Sequence, residues 1–485
     1  MHTMRKGFLL AICMMMLAGL LAACSGNSGN KGNDTGSSKV ETTKQNTAKN
    51  NEKGEEAKTP EQISISVYYP TPDREADRKL EDDKIRRFEE AYPHVKIIKA
   101  DWQYNPAEIG IKMGANEAPT LFNTYATEGK FLAERGWAAD ITELWDSYMN
   151  KDQFNPVLAD QFILNGKVHG IPQKGYVVGT VMNLKMLRDK GVAIPSFDWT
   201  WDDLLQTAQA IADPGAGISG IALMGKGNEA GWNWTNFLFE AGGDIQQVAD
   251  GKVTATFNSD AGLKALELYN KLRWEANAIP TDWALGWGDA VGSFGQGRTA
   301  MVVAGPDGPV DHGLNQGGMN KEDIAVYPMP AQQAGGKHTG VLGGDYLVIN
   351  PNASSAEQEA AFQYATFDYF SDAAIVSAEE SIKARQAEGK SFIPPVIEYF
   401  KMDSEYGMKM KALYDKYPNV YQYDQAMLNL LDGKPEAQFN TQEFYGAMTN
   451  VVQEVFSKKD VDLKAALDKA AATVQETVFD SIKVE

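Results

Sequence analysis

The stretch ISISVYYPTPDREADRKLEDDKIRRFEEAYPHVKII, residues 63–98, decides the fold class. Ile63, Ile65 and Val67 alternate with polar residues, the period-two signature of a strand with one buried face. Residues 74–92 then read as a helix, with Pro93 just beyond its end. Val95-Lys96-Ile97-Ile98 is a second strand, and Pro119-Thr120-Leu121-Phe122 a third, entered after Gly114 and an Ala-Asn-Glu turn. Strand–helix–strand alternation at this spacing implies an α/β architecture with a largely parallel sheet. Downstream, residues 132–145 and 199–212 read as helices, the second with Thr200 as N-cap and Asp202 and Asp203 in its first turn. From Ser354 onward the period is mainly helical, with an Ala-rich stretch over 463–474. No internal repeat is present.

Upstream of the first strand the composition changes twice. Arg5 and Lys6 precede an uncharged run over 8–23, which ends in Leu21-Ala22-Ala23-Cys24. A basic start, a short apolar core and small residues at the cut read as a secretory leader, 1–23, too short for a comfortable membrane span. The Leu-Ala-Ala-Cys tetrapeptide resembles a bacterial lipobox. That resemblance implies that Cys24 becomes the first mature residue, carries acyl chains and anchors the chain to a lipid bilayer without spanning it. Residues 24–60 are then a polar tether, expected to be disordered. Its root-mean-square reach is about 30–35 Å.

The chain has 485 residues, more than one core usually serves, so two lobes are expected. A net charge of −19 argues against nucleic acid as a partner. Both cysteines, Cys13 and Cys24, lie in or at the leader, so the folded part has no disulfide or thiolate metal site. The five histidines form no ligand-spaced cluster. Residues 215–220 match GxGxxG, but they follow a helix and precede a strand, the reverse of a dinucleotide turn. Neither a P-loop nor a nucleophile elbow occurs. The adjacent acids Asp82-Asp83 and Glu89-Glu90 read as solvated helix faces. No catalytic residue, cofactor or metal is expected.

Four blocks resemble the extracellular solute-binding proteins of sugar-type ABC importers, the family that contains the maltose-binding proteins. They are GIPQKGYVVGTVMNLKMLRDKGV (170–192), FDWTWDDLLQTAQAI (197–211), FGQGRTAMVVAGPDG (294–308) and GGDYLVINPNASSAEQEAAFQYATFDYF (343–370). They stand in family order. Three departures are visible. Met182 stands where Tyr is usual, Ala118-Pro119-Thr120-Leu121 replaces Ala-Pro-Asp-Val, and Gly305-Pro306-Asp307 replaces Gly-Pro-Trp. The last exchanges a stacking ring for a carboxylate.

The resemblance implies a two-lobe, periplasmic-binding-protein-like (type II) α/β fold with hinge crossings and a helical C-terminal region. Lobe 1 would hold 61–174 plus about 341–375, and lobe 2 would hold 175–340 plus about 376–485. Crossings are expected near 172–180 and 341–346, where Gly175, Gly179, Gly343 and Gly344 permit backbone rotation or close approach. The implied function is a monomeric receptor, not an enzyme. By the resemblance it would capture a carbohydrate, an oligosaccharide, and present it to ABC permease subunits on the outer face of a Gram-positive cell membrane. A secreted carbohydrate-active enzyme and a receptor for a non-sugar solute are the alternatives.

Tryptophans cluster at Gly231-Trp232-Asn233-Trp234-Thr235-Asn236 and Asp282-Trp283-Ala284-Leu285-Gly286-Trp287. Aromatic rings cover the C–H face of a sugar while Asn, Asp and Glu bond its hydroxyls, so such clusters on Gly-flexed loops suit a pyranose site. By resemblance, Trp232 falls where a stacking ring precedes the Gly242-Gly243 turn. Trp234, Trp283 and Trp287 fit cleft or core equally, whereas Trp137, Trp199 and Trp201 read as core. Loops after the early strands nominate Tyr69, Asp73, Asn123, Tyr125 and Glu128. Tyr176 in the first crossing, Asp345 in the second and Asp307 complete the ligand-binding set, although Asp345 also suits a local turn cap.

Overall fold

The computed structural model describes residues 62–72 and 74–484. The leader, the tether, Cys24 and Asp73 therefore lie outside the described residues.

Lobe 1 begins as its sequence suggests. Strand β1 (Ile63–Tyr68) leads through helix α1 (Glu75–Ala91) to β2 (Val95–Ala100), its parallel neighbour. Strand β3 (Leu121–Tyr125) lies parallel on the other side of β1. Ile65 and Val67 are fully buried with Phe88 of α1, so the alternation read from the sequence is the alternation that packs. The helix expected over 132–145 is instead two short ones, α2 (Glu128–Glu134) and a turn-length helix Thr142–Ser147. Gly136, at φ +65°, lies between them in the left-handed region that ends helices.

The chain then passes into the second lobe. Strand β4 (Ile171–Val177) belongs to the first sheet and β5 (Gly179–Asn183) to the second, with Val178 alone between them. Helix α3 (Trp201–Ile211) has the expected N-cap at Thr200, which the structure closes into a reciprocal capping box with Asp203. Strand β6 (Ser219–Ala222), helix α4 (Gly227–Glu240), helix α5 (Trp287–Gly295), strand β7 (Thr299–Ala304) and strand β8 (Ile324–Tyr327) complete the unit. Its sheet runs β8-β5-β7-β6.

Strand β9 (His338–Ile349) returns to lobe 1. Its second half pairs antiparallel with β3 and β4. Its first half pairs with β11 (Leu431–Pro435), a late strand absent from the sequence reading. Both sheets are mixed rather than largely parallel. The cause is topological: a strand that re-enters a sheet from the other lobe runs against the strands already laid down. The crossing glycines serve close approach rather than unusual dihedrals. A Cβ at Gly179 would lie 2.4 Å from the Tyr327 carbonyl oxygen, and neither Gly175, Gly179, Gly343 nor Gly344 has a positive φ.

The C-terminal region is mainly helical: α6 (Ser355–Thr366), α7 (Asp372–Ala387), α8 (Glu405–Lys416), α9 (Thr441–Ser457) and α10 (Leu463–Thr477). Helices α9 and α10 bury Phe444, Met448, Val452, Phe456 and Leu467 in the lobe-2 core with Trp234 and Phe237. The segment from 376 is not wholly lobe 2, however. Strand β10 (Ile397–Glu398) pairs with Gly175 and Lys174 of β4, extending the lobe-1 sheet. Helices α7 and α8 pack around Phe370 and Tyr399, which also touch the lobe-1 core.

Candidate functional site

Three strands of the first sheet bring a row of side chains to the seam between the lobes. Tyr125 at the end of β3 lies opposite Asp345 of β9, and Asp345 lies opposite Lys174 of β4. Partners directly opposed across a ladder share a face. The register slips between Asp345 and Tyr346, a bulge that re-aims the side chain beside it. Lobe 2 contributes the turn after β7, Gly305-Pro306-Asp307-Gly308. Lys174 Nζ stands 3.3 Å from Asp307 and 3.6 Å from Asp345, tying the crossing strand to both.

Tyr176 lies two residues along β4, on the same face as Lys174. A Cβ at Gly343 would fall 2.4 Å from its ring, so only glycine leaves room for it there. Gly305 of lobe 2 lies against the same ring. Trp232 of α4 meets Tyr176 edge-on, centroids 6.4 Å apart at 85°. Tyr125 is 42% exposed and backed edge-on by buried Tyr104 at 5.7 Å. The Tyr68 hydroxyl accepts a 3.2 Å bond from Arg74, which also pairs with Asp77 at 2.7 Å.

The electrostatics of the seam are set by burial and by carboxylates. Burial raises the Asp345 carboxyl above its ordinary range, against the lowering pull of Lys174. Burial opposes the Lys174 charge, yet Asp307 and Asp345 hold its pKa above the usual lysine value. The Tyr125 phenol is raised by burial and then by Asp345, Glu128 and Glu229. Glu229, in the first turn of α4, is thus a lobe-2 carboxylate felt by a lobe-1 ring. Half-buried rings interleaved with carboxylates can cover an apolar face and bond a hydroxyl edge at once. Among the described residues, no group of histidines, cysteines and acids has metal-ligand geometry.

A model of the family described as bacterial extracellular solute-binding protein matches residues 71–374, more than half of the chain. The chain belongs to that family. Solved structures of solute-binding proteins share its fold. One, a substrate-binding protein of Listeria monocytogenes in complex with cycloalternan, is 18% identical with a TM-score of 0.67, over 86% of this chain and 99% of that one. The GacH receptor of Streptomyces glaucescens, solved unliganded and with acarbose, is 18% identical with a TM-score of 0.65, over 87% and 100%. A solute-binding protein of Thermotoga lettingae bound with alpha-D-tagatose is 21% identical with a TM-score of 0.64, over 85% and 99%. No curated protein sequence matches significantly.

In this solute-binding protein the residues nominated from sequence separate into two groups. Trp232, Tyr176, Tyr125, Asp307, Asp345 and Trp287 are at the seam or against its turn. The others are elsewhere. Tyr69 is 6% exposed, donates to Asp82 at 2.8 Å and lies between Arg78 and Lys99, because it continues the inward parity of Ile65 and Val67. Tyr68, of opposite parity, takes the seam position. Glu128 is 3% exposed and accepts from the hydroxyls of Tyr104 and Thr127, so it supports the ring behind Tyr125 rather than lining the surface. Asn123 shares a strand face with Tyr125, but its side-chain oxygen is buried without a partner.

Trp234 is fully buried in the lobe-2 core, and Trp283 packs edge-on against Phe456 of α9. The 231–236 cluster is not a flexed loop but the middle of a 14-residue helix. Successive tryptophans at i and i+2 on a helix face opposite ways, so one ring must go inward. The asparagines beside them are structural: Asn233 donates to Val303 O at 2.9 Å and Asn236 accepts from Val341 N at 2.9 Å. Lys174, Tyr68, Arg74 and Glu229 escaped the sequence reading. Only for Tyr68 was a signal present, in the strand parity.

Proposed function

We propose that this chain is a lipid-anchored receptor that captures a carbohydrate, specifically an oligosaccharide, between its lobes and delivers it to an ABC importer without altering it. The observation that carries this reading is the seam itself: Trp232 edge-on to Tyr176 beside the Asp307–Lys174–Asp345 cluster. Rings provide an apolar platform for a sugar face, and fixed carboxylates provide acceptors for hydroxyls. The complexes of related folds with cycloalternan, acarbose and tagatose lend it support.

Ligand contacts shared by both lobes favour the closed arrangement over an open one, and the permease then reads that shape. In this reading lobe 1 is 61–174 plus about 341–375, with β10 added at its sheet edge, and lobe 2 is 175–340 with the rest of about 376–485. Cys24 carries the acyl anchor on the outer membrane face, and the receptor acts as a monomer. Titration calorimetry of the chain from residue 24, carrying Cys24→Ser, against mono- and oligosaccharides tests it. Stoichiometric binding without product release is expected. Turnover of the sugar overturns it, and so does binding only of a non-sugar solute. Incorporation of labelled palmitate, lost in Cys24→Ala, is the expected result for the anchor.

A further inference from the structure

The turn that carries Asp307 has a carboxylate where a flat platform would be useful, yet a ring packs against the very next residue, Gly308. Trp287, the first residue of α5, packs its indole over Gly308. A Cβ on Gly308 would fall 2.5 Å from Cζ2 and 2.9 Å from Cη2 of that ring. Gly308 lies in a short helical turn with no positive φ, so its backbone does not call for glycine, whereas the ring does. The backbone of Trp287 is held from a second direction. Its N–H donates to Glu229 Oε2 at 2.7 Å, and the Gly286 N–H donates to Asp289 at 3.0 Å. His312 meets the indole edge-on at 6.1 Å, which closes a third side. The ring is only half buried despite these restraints.

A tryptophan fixed by three neighbours and left half open beside a carboxylate is a preorganised platform rather than a core residue. We infer that Trp287 and Asp307 form one subsite for a cyclic sugar unit, with Gly308 and Glu229 as its positioning residues. The ring takes the flat C–H face of a pyranose, and Asp307, already oriented by Lys174, accepts from a hydroxyl at its edge. An acyclic polyol offers no such face. The inference rests on the carbohydrate reading and narrows it to ring-form sugars on the lobe-2 side.

The test is a calorimetric series on the chain from residue 24 with Cys24→Ser, using maltotriose, cellotriose, xylotriose and mannitol. W287A, G308A and the double variant are compared with the parent. At least one trisaccharide is expected to bind, and W287A and G308A should each weaken it about tenfold. The double variant should be no weaker than W287A, since G308A acts only through the ring. In protein labelled with 5-fluorotryptophan, the Trp287 resonance, identified by its loss in W287F, should shift in ligand-free G308A and E229A. A G308A protein with parental affinity and an unmoved resonance overturns the inference. Fully additive losses, or mannitol as the tightest ligand, overturn it as well. If no saccharide binds the parent at all, the carbohydrate reading falls and takes the subsite with it. That result differs from a parent that binds and a G308A that does not care.

Discussion

The two walls of the seam are built differently. On lobe 1 the rings are tyrosines at strand ends: Tyr68 closes β1 and Tyr125 closes β3. On lobe 2 they are tryptophans on helices, Trp232 in α4 and Trp287 at the start of α5. Tyr125 stands out on a buried pillar of Tyr104 and Glu128, whereas Trp232 packs against two separate hydrophobic clusters of its own lobe. A phenol on a strand tip gives a hydroxyl and a modest apolar area. An indole wedged between cores gives a larger and stiffer face. For the proposed receptor, the difference leads us to expect the bulk of affinity from lobe 2 and the trimming of orientation from lobe 1.

The largest expected effect separates the two tryptophans of α4. Trp234→Ala empties a fully buried site and is expected to cost about 3–5 kcal/mol of stability, measured by denaturant unfolding. Trp232→Ala should instead weaken sugar binding at least about tenfold while the melting temperature of the empty protein barely moves. An unfolded Trp232→Ala protein would break the distinction. Next, Tyr125→Ala is expected to reduce affinity by about threefold to fivefold, less than Trp232→Ala. A loss larger than that of Trp232→Ala would shift the dominant wall to lobe 1. Lys174→Met leaves Asp307 and Asp345 without their shared cation. The pair is part-exposed, so about 1 kcal/mol of stability or less is at stake, and the change should appear mainly in the salt dependence of binding.

A pH trend again distinguishes the lobes. Burial raises Glu398, on the strand that edges lobe 1, to about 7. Burial raises Glu240, at the end of α4, to about 9 despite backbone donors, and Glu436 to about 8. A carboxyl whose folded pKa exceeds its unfolded one keeps its proton in the fold. Its stabilising contribution is complete below about pH 4.5 and drains away as pH rises to the folded value. Thermal melts should therefore fall from pH 5 to pH 9. Glu398→Gln should flatten the part up to about pH 7, and Glu240→Gln should remove the part from 8 to 9, leaving Glu436 to slope the curve up to 8. Melting temperatures that rise over this range would contradict these buried carboxyls.

Periodic features were legible in the sequence. The β1–α1–β2 unit, the N-cap at Thr200 and the crossing near 172–180 all depend on local pattern, and local pattern survives in one dimension. The parity of Ile63, Ile65 and Val67 also held the answer for Tyr68 against Tyr69, although the loop position of Tyr69 hid it. Trp234 fits cleft or core equally in the sequence because Gly231 and the flanking asparagines resemble a loop, whereas Ala230, Trp234, Phe237 and Leu238 form a helix stripe that buries it. Lys174 and Asp307 lie 133 residues apart, and nothing local to either announces the other. The late strands β10 and β11 are short and polar, and they exist because a neighbour offers an edge.

The passage from β4 to β5 is one residue long. Val178 is fully buried and donates its N–H to Val341 O at 2.9 Å. In the proposed receptor any swing of the halves is geared through this one-residue link and through β9, the second crossing bonded to it. In that reading a guest against Tyr176, two residues upstream, bears on both crossings at once, and occupancy and posture become a single mechanical event. Proline at 178 would jam the gear by fixing one torsion and removing the tie to Val341.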